Sequence, residues 1–262
     1  MTLSKGLKAS MVLVLILGVS ASAAVLVLMN TPSSASIKLT LLNNAGVMIE
    51  ADGVRIYIDP YLLPSNYSEY PADAILITHP HSDHYDPVSI SEIRTRSTIF
   101  VFPKNMTAQI NSYNGTGVNP GDVVRVGDIS ITAFYMYTFP VGEYPASHPA
   151  EANWTSYIID INGFTIFHAG DSKCLDEYEQ IANNIDVALL PLGPGCQTMY
   201  RSEVVNALRI INPSYFIPIH YEQEEKHTFI TIYDVQIEDL GITIVDLDYF
   251  SSHSFNPADA SS

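Results

Sequence analysis

The stretch Thr78 to Asp86, THPHSDHYD, decides how this chain is read. It sets three histidines and two aspartates directly after the apolar run Ala74 to Ile77. No packing requirement asks for imidazoles and carboxylates at this density, whereas both are ligands that a borderline divalent cation such as zinc prefers. The segment predicts a metal site at the end of a strand, with a polar surface loop as the alternative. His79 and His81, two apart in an extended segment, point the same way, and Asp83 and His84 follow as the chain turns. Two histidines can then face one cation while Asp83 and His84 face a second beside it.

Further along the chain, other residues extend the same chemistry. Asp171 sits in an Ala-Gly-Asp-Ser turn after the β-rich run Phe164 to Phe167, where small residues allow close backbone approach. His220 ends the apolar run Tyr215 to Ile219, which Pro218 interrupts. A turn-capping aspartate and a core or capping histidine are the respective alternatives. His168, three residues before Asp171, is expected to hydrogen-bond and orient a ligand rather than to bind metal. His227 and His253 have no metal-like neighbours and read as surface or tail residues.

The pattern His-x-His-x-Asp-His at 79–84 resembles the signature of the metallo-β-lactamase superfamily. VMIEADGVRIYIDPYL before it, FHAGDS at 167–172, DVALLPLGPGCQTM at 186–199 and YFIPIHYE at 215–222 are similar to the branch that includes the ascorbate-6-phosphate lactonases and many metal-dependent hydrolases. The similarity spans Lys38 to Tyr249. It implies a two-metal site between two β-sheets flanked by helices. It also implies His79, His81 and His148 on one metal, Asp83, His84 and His220 on the other, and Asp171 bridging. His148, in SHPAE, lacks a strand to orient it and rests on order and similarity alone. NWTSY at 153–157 departs from the glycine-containing pattern of that branch. Asp59 resembles an Asp-Pro of the same branch, and its expected role is support near the site.

The 262 residues, 47% of them hydrophobic, suffice for one large domain with a substantial core. Strand-like runs at 38–42, 47–50, 55–58 and 74–78 come first, separated by Asn-Ala-Gly and Asp-Gly turn signals. Helix-like segments at 87–96 and 104–113 flank a strand at 98–102. Strand-like pairs follow at 123–126 with 129–134 and at 156–161 with 164–167. Helix-like 176–183 and 202–211 then alternate with strands at 187–190 and 215–219. This order predicts an α+β fold, a four-layer αββα sandwich over 37–250, with 251–262 a loose tail.

Met11 to Met29 is free of charged residues and is preceded by Lys5 and Lys8. It reads as a single transmembrane anchor, with 1–10 cytoplasmic, 30–36 a linker and the catalytic domain outside the cell membrane. The rival is a cleaved signal peptide ending near Ala21-Ser22-Ala23, which makes the protein secreted. Cys174 and Cys196 lie after the Asp171 turn and in the loop after the next strand. A disulfide and two free thiols are both open, and neither cysteine falls where the family motifs put a ligand. From Lys38 onward, 10 basic residues stand against 28 acidic ones, a formal charge of −18. Such a surface, with no Lys/Arg cluster, argues against nucleic-acid partners and for a small-molecule substrate.

The resulting expectation is a metal-dependent hydrolase with two divalent ions, zinc favoured by the histidine count and manganese the other choice. A binuclear-metal-bound hydroxide is expected to attack a small ester, lactone or phosphodiester; the resemblance implies that Asp171 fixes the metals and that Asp83 orients the water or takes its proton. Two other classes stand against it: a metal-binding or sensing module without turnover, and a non-haem iron redox member of the superfamily. Specificity is expected to lie in loops such as 61–70 and 136–151, whose Tyr67, Tyr70, Tyr137 and Tyr144 read either as pocket walls or as ordinary surface.

Overall fold

The computed structural model describes residues 36–193 and 195–257. It contains two seven-stranded sheets. The first is built from β1 (Ile37–Leu41), β2 (Val47–Ala51), β3 (Val54–Ile58), β4 (Ala74–Leu76), β5 (Ile99–Pro103), β6 (Thr116–Val118) and β14 (Ser252–Phe255), in the order β14-β1-β2-β3-β4-β5-β6. The second runs β13-β12-β11-β10-β9-β8-β7. Its strands are β7 (Val123–Val126), β8 (Ile129–Tyr135), β9 (Thr155–Ile161), β10 (Phe164–His168), β11 (Val187–Pro191), β12 (Tyr215–Ile219) and β13 (Thr243–Ile244).

Period-two alternation divides the first sheet between two cores. Val47, Ile49, Ile56, Ile58, Ala74, Leu76 and Val101 join a large cluster shared with the second sheet. Met48, Tyr57, Ile75, Phe100 and Phe102 face the other way, onto Ile90 and Ile93 of α1 (Pro87–Ile93) and Met106 ahead of α2 (Thr107–Tyr113). On the second sheet, β11 is buried at every position, as a central strand covered on both faces must be. Val204, Val205, Leu208 and Ile211 of α3 (Arg201–Ile211) and Phe229 and Ile237 of α4 (Gln223–Glu238) pack into the same cluster. Two sheets with helices against them make the α+β sandwich that the order of segments predicts.

Several elements differ from the sequence reading. Segment 176–183 is a 3-10 turn, Asp176–Ile181, rather than an α-helix. The 16-residue α4 was not anticipated, because its apolar residues are too evenly distributed to mark a face. The loose tail is corrected most clearly: Ser252–Phe255 pairs antiparallel with β1, and Phe255 is buried against Phe164 and Tyr215. Cys174 and Cys196 are free thiols.

The membrane assignment is also corrected. The expected span 11–29 lies outside the described residues, as do 1–10 and most of the linker. Among the described residues, no helix is long and apolar enough to cross a membrane. The cell-membrane and secreted locations are withdrawn.

Candidate metal centre

The strands β3, β4 and β5 are mutually parallel, as are β10, β11 and β12, so the loops leaving their C-terminal ends collect at one edge of the sandwich. Asp59 follows β3, the histidine motif follows β4, Asp171 follows β10 and His220 follows β12. Two contacts tie the sheets together at this edge: the Tyr157 hydroxyl donates to the Ile77 carbonyl at 2.8 Å, and the Thr155 amide to the Thr78 carbonyl at 3.1 Å.

Three imidazoles converge first. His79 Nε2 lies 3.0 Å from His81 Nδ1 and 3.1 Å from His148 Nε2. The far nitrogens of two of these rings are occupied: His79 Nδ1 meets the Thr78 hydroxyl at 2.9 Å, and His148 Nδ1 meets the Ser147 hydroxyl at 2.8 Å. With one nitrogen engaged behind, each ring turns the other toward the common point. Burial, reinforced by the neighbouring His84, holds His79 well below the usual histidine range, and burial lowers His148 to about 4. Neutral imidazoles are the form that binds metal.

Beside this trio lies a second group. Asp83, His84 and His220 present donor atoms within 4.8 Å of one another. Asp171 lies between the groups, with Oδ1 3.2 Å from His84 Nε2 and Oδ2 3.2 Å from His220 Nε2 and 3.5 Å from His148 Nε2. Burial opposes ionisation of Asp171, but the facing His84 and His220 hold its carboxyl well below the usual range. Burial would likewise depress His84, yet the carboxylates of Asp171 and Asp59 raise it well above the ordinary histidine value. Asp83 is half-buried, takes a hydrogen bond from Asn44 Nδ2 at 3.1 Å, and is lowered to about 2, chiefly by His220.

The donor set fits divalent cations on an observation internal to this site. His84 Nε2, His220 Nε2 and both oxygens of Asp171 are buried and have no hydrogen-bond partner among the described residues. His84 Nε2 and His220 Nε2 each stand 3.2 Å from an Asp171 oxygen, close contacts that are not hydrogen bonds. Buried polar atoms are otherwise almost always paired, so four that converge unpaired call for a shared ion.

Outer residues hold this arrangement. Asp59 accepts from the Thr78 amide at 2.8 Å and hydroxyl at 2.5 Å, and faces His84 Nδ1 at 2.8 Å, which fixes the tautomer that turns His84 Nε2 inward. The expected supporting role of His168 has a definite form here. Its Nε2 donates to the Ala45 carbonyl at 2.7 Å and its Nδ1 accepts from the Gly170 amide at 3.2 Å, which fastens the turn that delivers Asp171. Gly170 has φ +57°, and a Cβ there would come within 2.6 Å of Met136 Sδ, so this turn requires glycine.

Two neighbours were missed in the sequence. Trp154, in the departing NWTSY segment, sets its ring 5.3–5.5 Å from those of His79, His81 and His148. Asn44 touches Asp83 and accepts the His220 amide on its carbonyl. Both approach from remote segments with no distinctive local pattern. A cleft of about 410 Å³ opens at the centre, lined by Asn44, Leu192, Gly193, His220, Tyr221 and Glu225 among others. The four tyrosines expected as walls are not among its lining residues; Tyr137 is turned to Glu177 and Tyr67 is buried.

Residues 38–220 match the model of the beta-lactamase superfamily domain. The chain belongs to that superfamily. A UPF0173 metal-dependent hydrolase of Pyrococcus furiosus is 30% identical over 205 residues, covering 71% of this chain and 84% of that protein. Among solved structures, a protein of Parabacteroides distasonis superposes with a TM-score of 0.69 at 25% identity, over 81% of this chain and 93% of that one. A metallo hydrolase of the archaeon Ignicoccus hospitalis gives 0.69 at 23% identity, over 84% and 98%. This member of the superfamily is an enzyme of the metal-dependent hydrolase class.

Proposed function

We propose that the protein is a binuclear metal-dependent hydrolase of a small ester, lactone or phosphodiester. The observation that carries this reading is the convergence of five histidines and two aspartates, four of whose donor atoms are buried without hydrogen-bond partners among the described residues. His79, His81 and His148 would hold one divalent cation, Asp83, His84 and His220 the other, and Asp171 would touch both. Zinc suits this histidine-rich set, and manganese tolerates it. When bound, such a pair supplies Lewis acidity and lowers the pKa of water toward neutrality.

The protein's own contribution is to position and to exclude. Asp59, Thr78 and Ser147 fix the ring orientations, which removes the reorganisation that free imidazoles would need. Asp83 is half-buried beside His220, with one oxygen held by Asn44 Nδ2, a placement suited to orienting a water or accepting its proton. Trp154 closes the side against the first trio and limits water there. The cleft volume and its lining of glycine, leucine, tyrosine and glutamate, with no lysine or arginine among the described residues that line it, favour a small molecule over nucleic acid.

The test is elemental analysis of the purified full chain beside His79→Ala and His84→Ala, followed by a screen of ester, lactone and phosphodiester substrates. Two zinc or manganese ions per chain are expected, with metal lost from each variant and hydrolysis of one substrate class. A chain that takes up no metal under replete conditions would sink the reading, and bound metal with no turnover would favour a sensing module.

A further inference from the structure

Cys196 stands outside the seven residues of the His/Asp set, and the family motifs give it no role. We propose that Cys196 supplies a thiolate ligand to the cation held by Asp171 and His220, which makes this half of the centre a site for a thiophilic divalent metal. This rests on the reading of Asp171 and His220 as metal ligands.

The Cys196 sulfur, an Asp171 oxygen and a His220 ring nitrogen all lie within 4.8 Å of one another. Donor atoms on one zinc sit about 2.0–2.3 Å from it, hence no more than roughly 4.6 Å apart, so the trio is close to the spacing that a shared ion imposes. Both partners point independently to a ligand: Asp171 is fully buried with neither oxygen hydrogen-bonded, and His220 Nε2 is buried and unpaired among the described residues.

The backbone at Cys196 is held where side chains rarely go. Cys196 has φ +51° and Gln197 φ +62°, two successive left-handed residues, neither of them glycine. The surrounding contacts enforce this conformation. Gln197 Oε1 accepts from the Ser147 amide at 2.8 Å and its Nε2 donates to the Pro145 carbonyl at 3.0 Å. The Ser147 hydroxyl donates to the Cys196 carbonyl, and the same oxygen lies 2.8 Å from His148 Nδ1. The loop bearing the thiol is thus pinned to a histidine of the first trio. Ligation breaks the S–H bond, releases the proton to solvent and forms the sulfur–metal bond, with no redox change. A soft sulfur donor beside an imidazole and a carboxylate selects zinc or cobalt over manganese.

Cobalt(II) titrated into the metal-free full-length protein separates this inference from the reading beneath it. Visible d–d bands report cobalt on the histidines and aspartates, and a near-ultraviolet sulfur-to-cobalt charge-transfer band reports thiolate. Both are expected. Cys196→Ser should keep the visible bands and lose the near-ultraviolet one, while Cys174→Ser, altered at a half-buried thiol beside Asn206, should keep both. Visible bands without charge transfer, or charge transfer that survives Cys196→Ser, overturn the thiolate ligand and leave the metal centre standing. Absence of all bands overturns both.

Discussion

Asp59 Oδ2 stands 2.8 Å from Nδ1 of His84, a residue 25 positions later, with both side chains fully buried. The carboxylate also takes the amide and hydroxyl of Thr78, so one residue governs the start of the histidine motif and the inward aim of His84. Asp59 has φ +47°, a conformation that asparagine shares readily. Asp59→Asn should therefore fold, but its amide no longer holds His84 in the same tautomer. Metal affinity, measured by competition with a chelator, is expected to fall about 10–100-fold, the usual cost of losing such an outer partner.

Stability of the metal-free protein should peak near pH 6.5, the ordinary histidine value. His79, His81 and His148 have lowered values, His148 to about 4, so below pH 6.5 the unfolded chain binds protons that the folded one refuses, and stability falls as pH drops toward 4. His84 and His220 have raised values. Their contribution is fully present below pH 6.5 and is lost as pH rises through their folded values. Calorimetric Tm of chelator-treated protein between pH 4 and 9 checks this. A steady rise across the range would count against the geometry.

Trp154 is the single tryptophan of the chain and touches all three rings of the first trio. Its fluorescence should change when zinc is added to the metal-free protein. His81→Ala should weaken that response, and Trp154→Phe should remove the signal while leaving the metal content unchanged.

Gly170→Ala should displace Asp171, since the new methyl group meets Met136 and Thr78 and the backbone there is left-handed. Hydrolytic activity and metal content are expected to fall together. Activity and metal content both retained would show that the turn tolerates a side chain.

Phe255→Ala tests the terminal strand. Phe255 is 3% exposed and rests on the rings of Phe164 and Tyr215 at 5.6 and 5.1 Å. Removing a buried aromatic side chain costs about 3–5 kcal/mol, to be read from denaturant unfolding. A cost near zero would restore the view of this segment as a tail.

Local pattern alone determined a large part of this protein. Alternating apolar runs bounded by turn signals marked most of the strands, and the density of imidazole and carboxylate at 79–84 marked a metal site, because both are properties of neighbouring residues. The order of the motifs carried the family and, with it, the sandwich. Tertiary structure decided what depends on distant segments meeting. The edge strand Ser252–Phe255 is short and polar and becomes a strand only because β1 offers it unpaired backbone. Trp154 and Asn44 become neighbours of the centre only when their loops fold back onto it. Cys196 has no ligand-like spacing to any histidine in the chain, and only the left-handed turn pinned to Ser147 brings its sulfur beside Asp171 and His220. A ligand set is a set of points in space, and sequence spacing reports it only where the chain between the ligands is short.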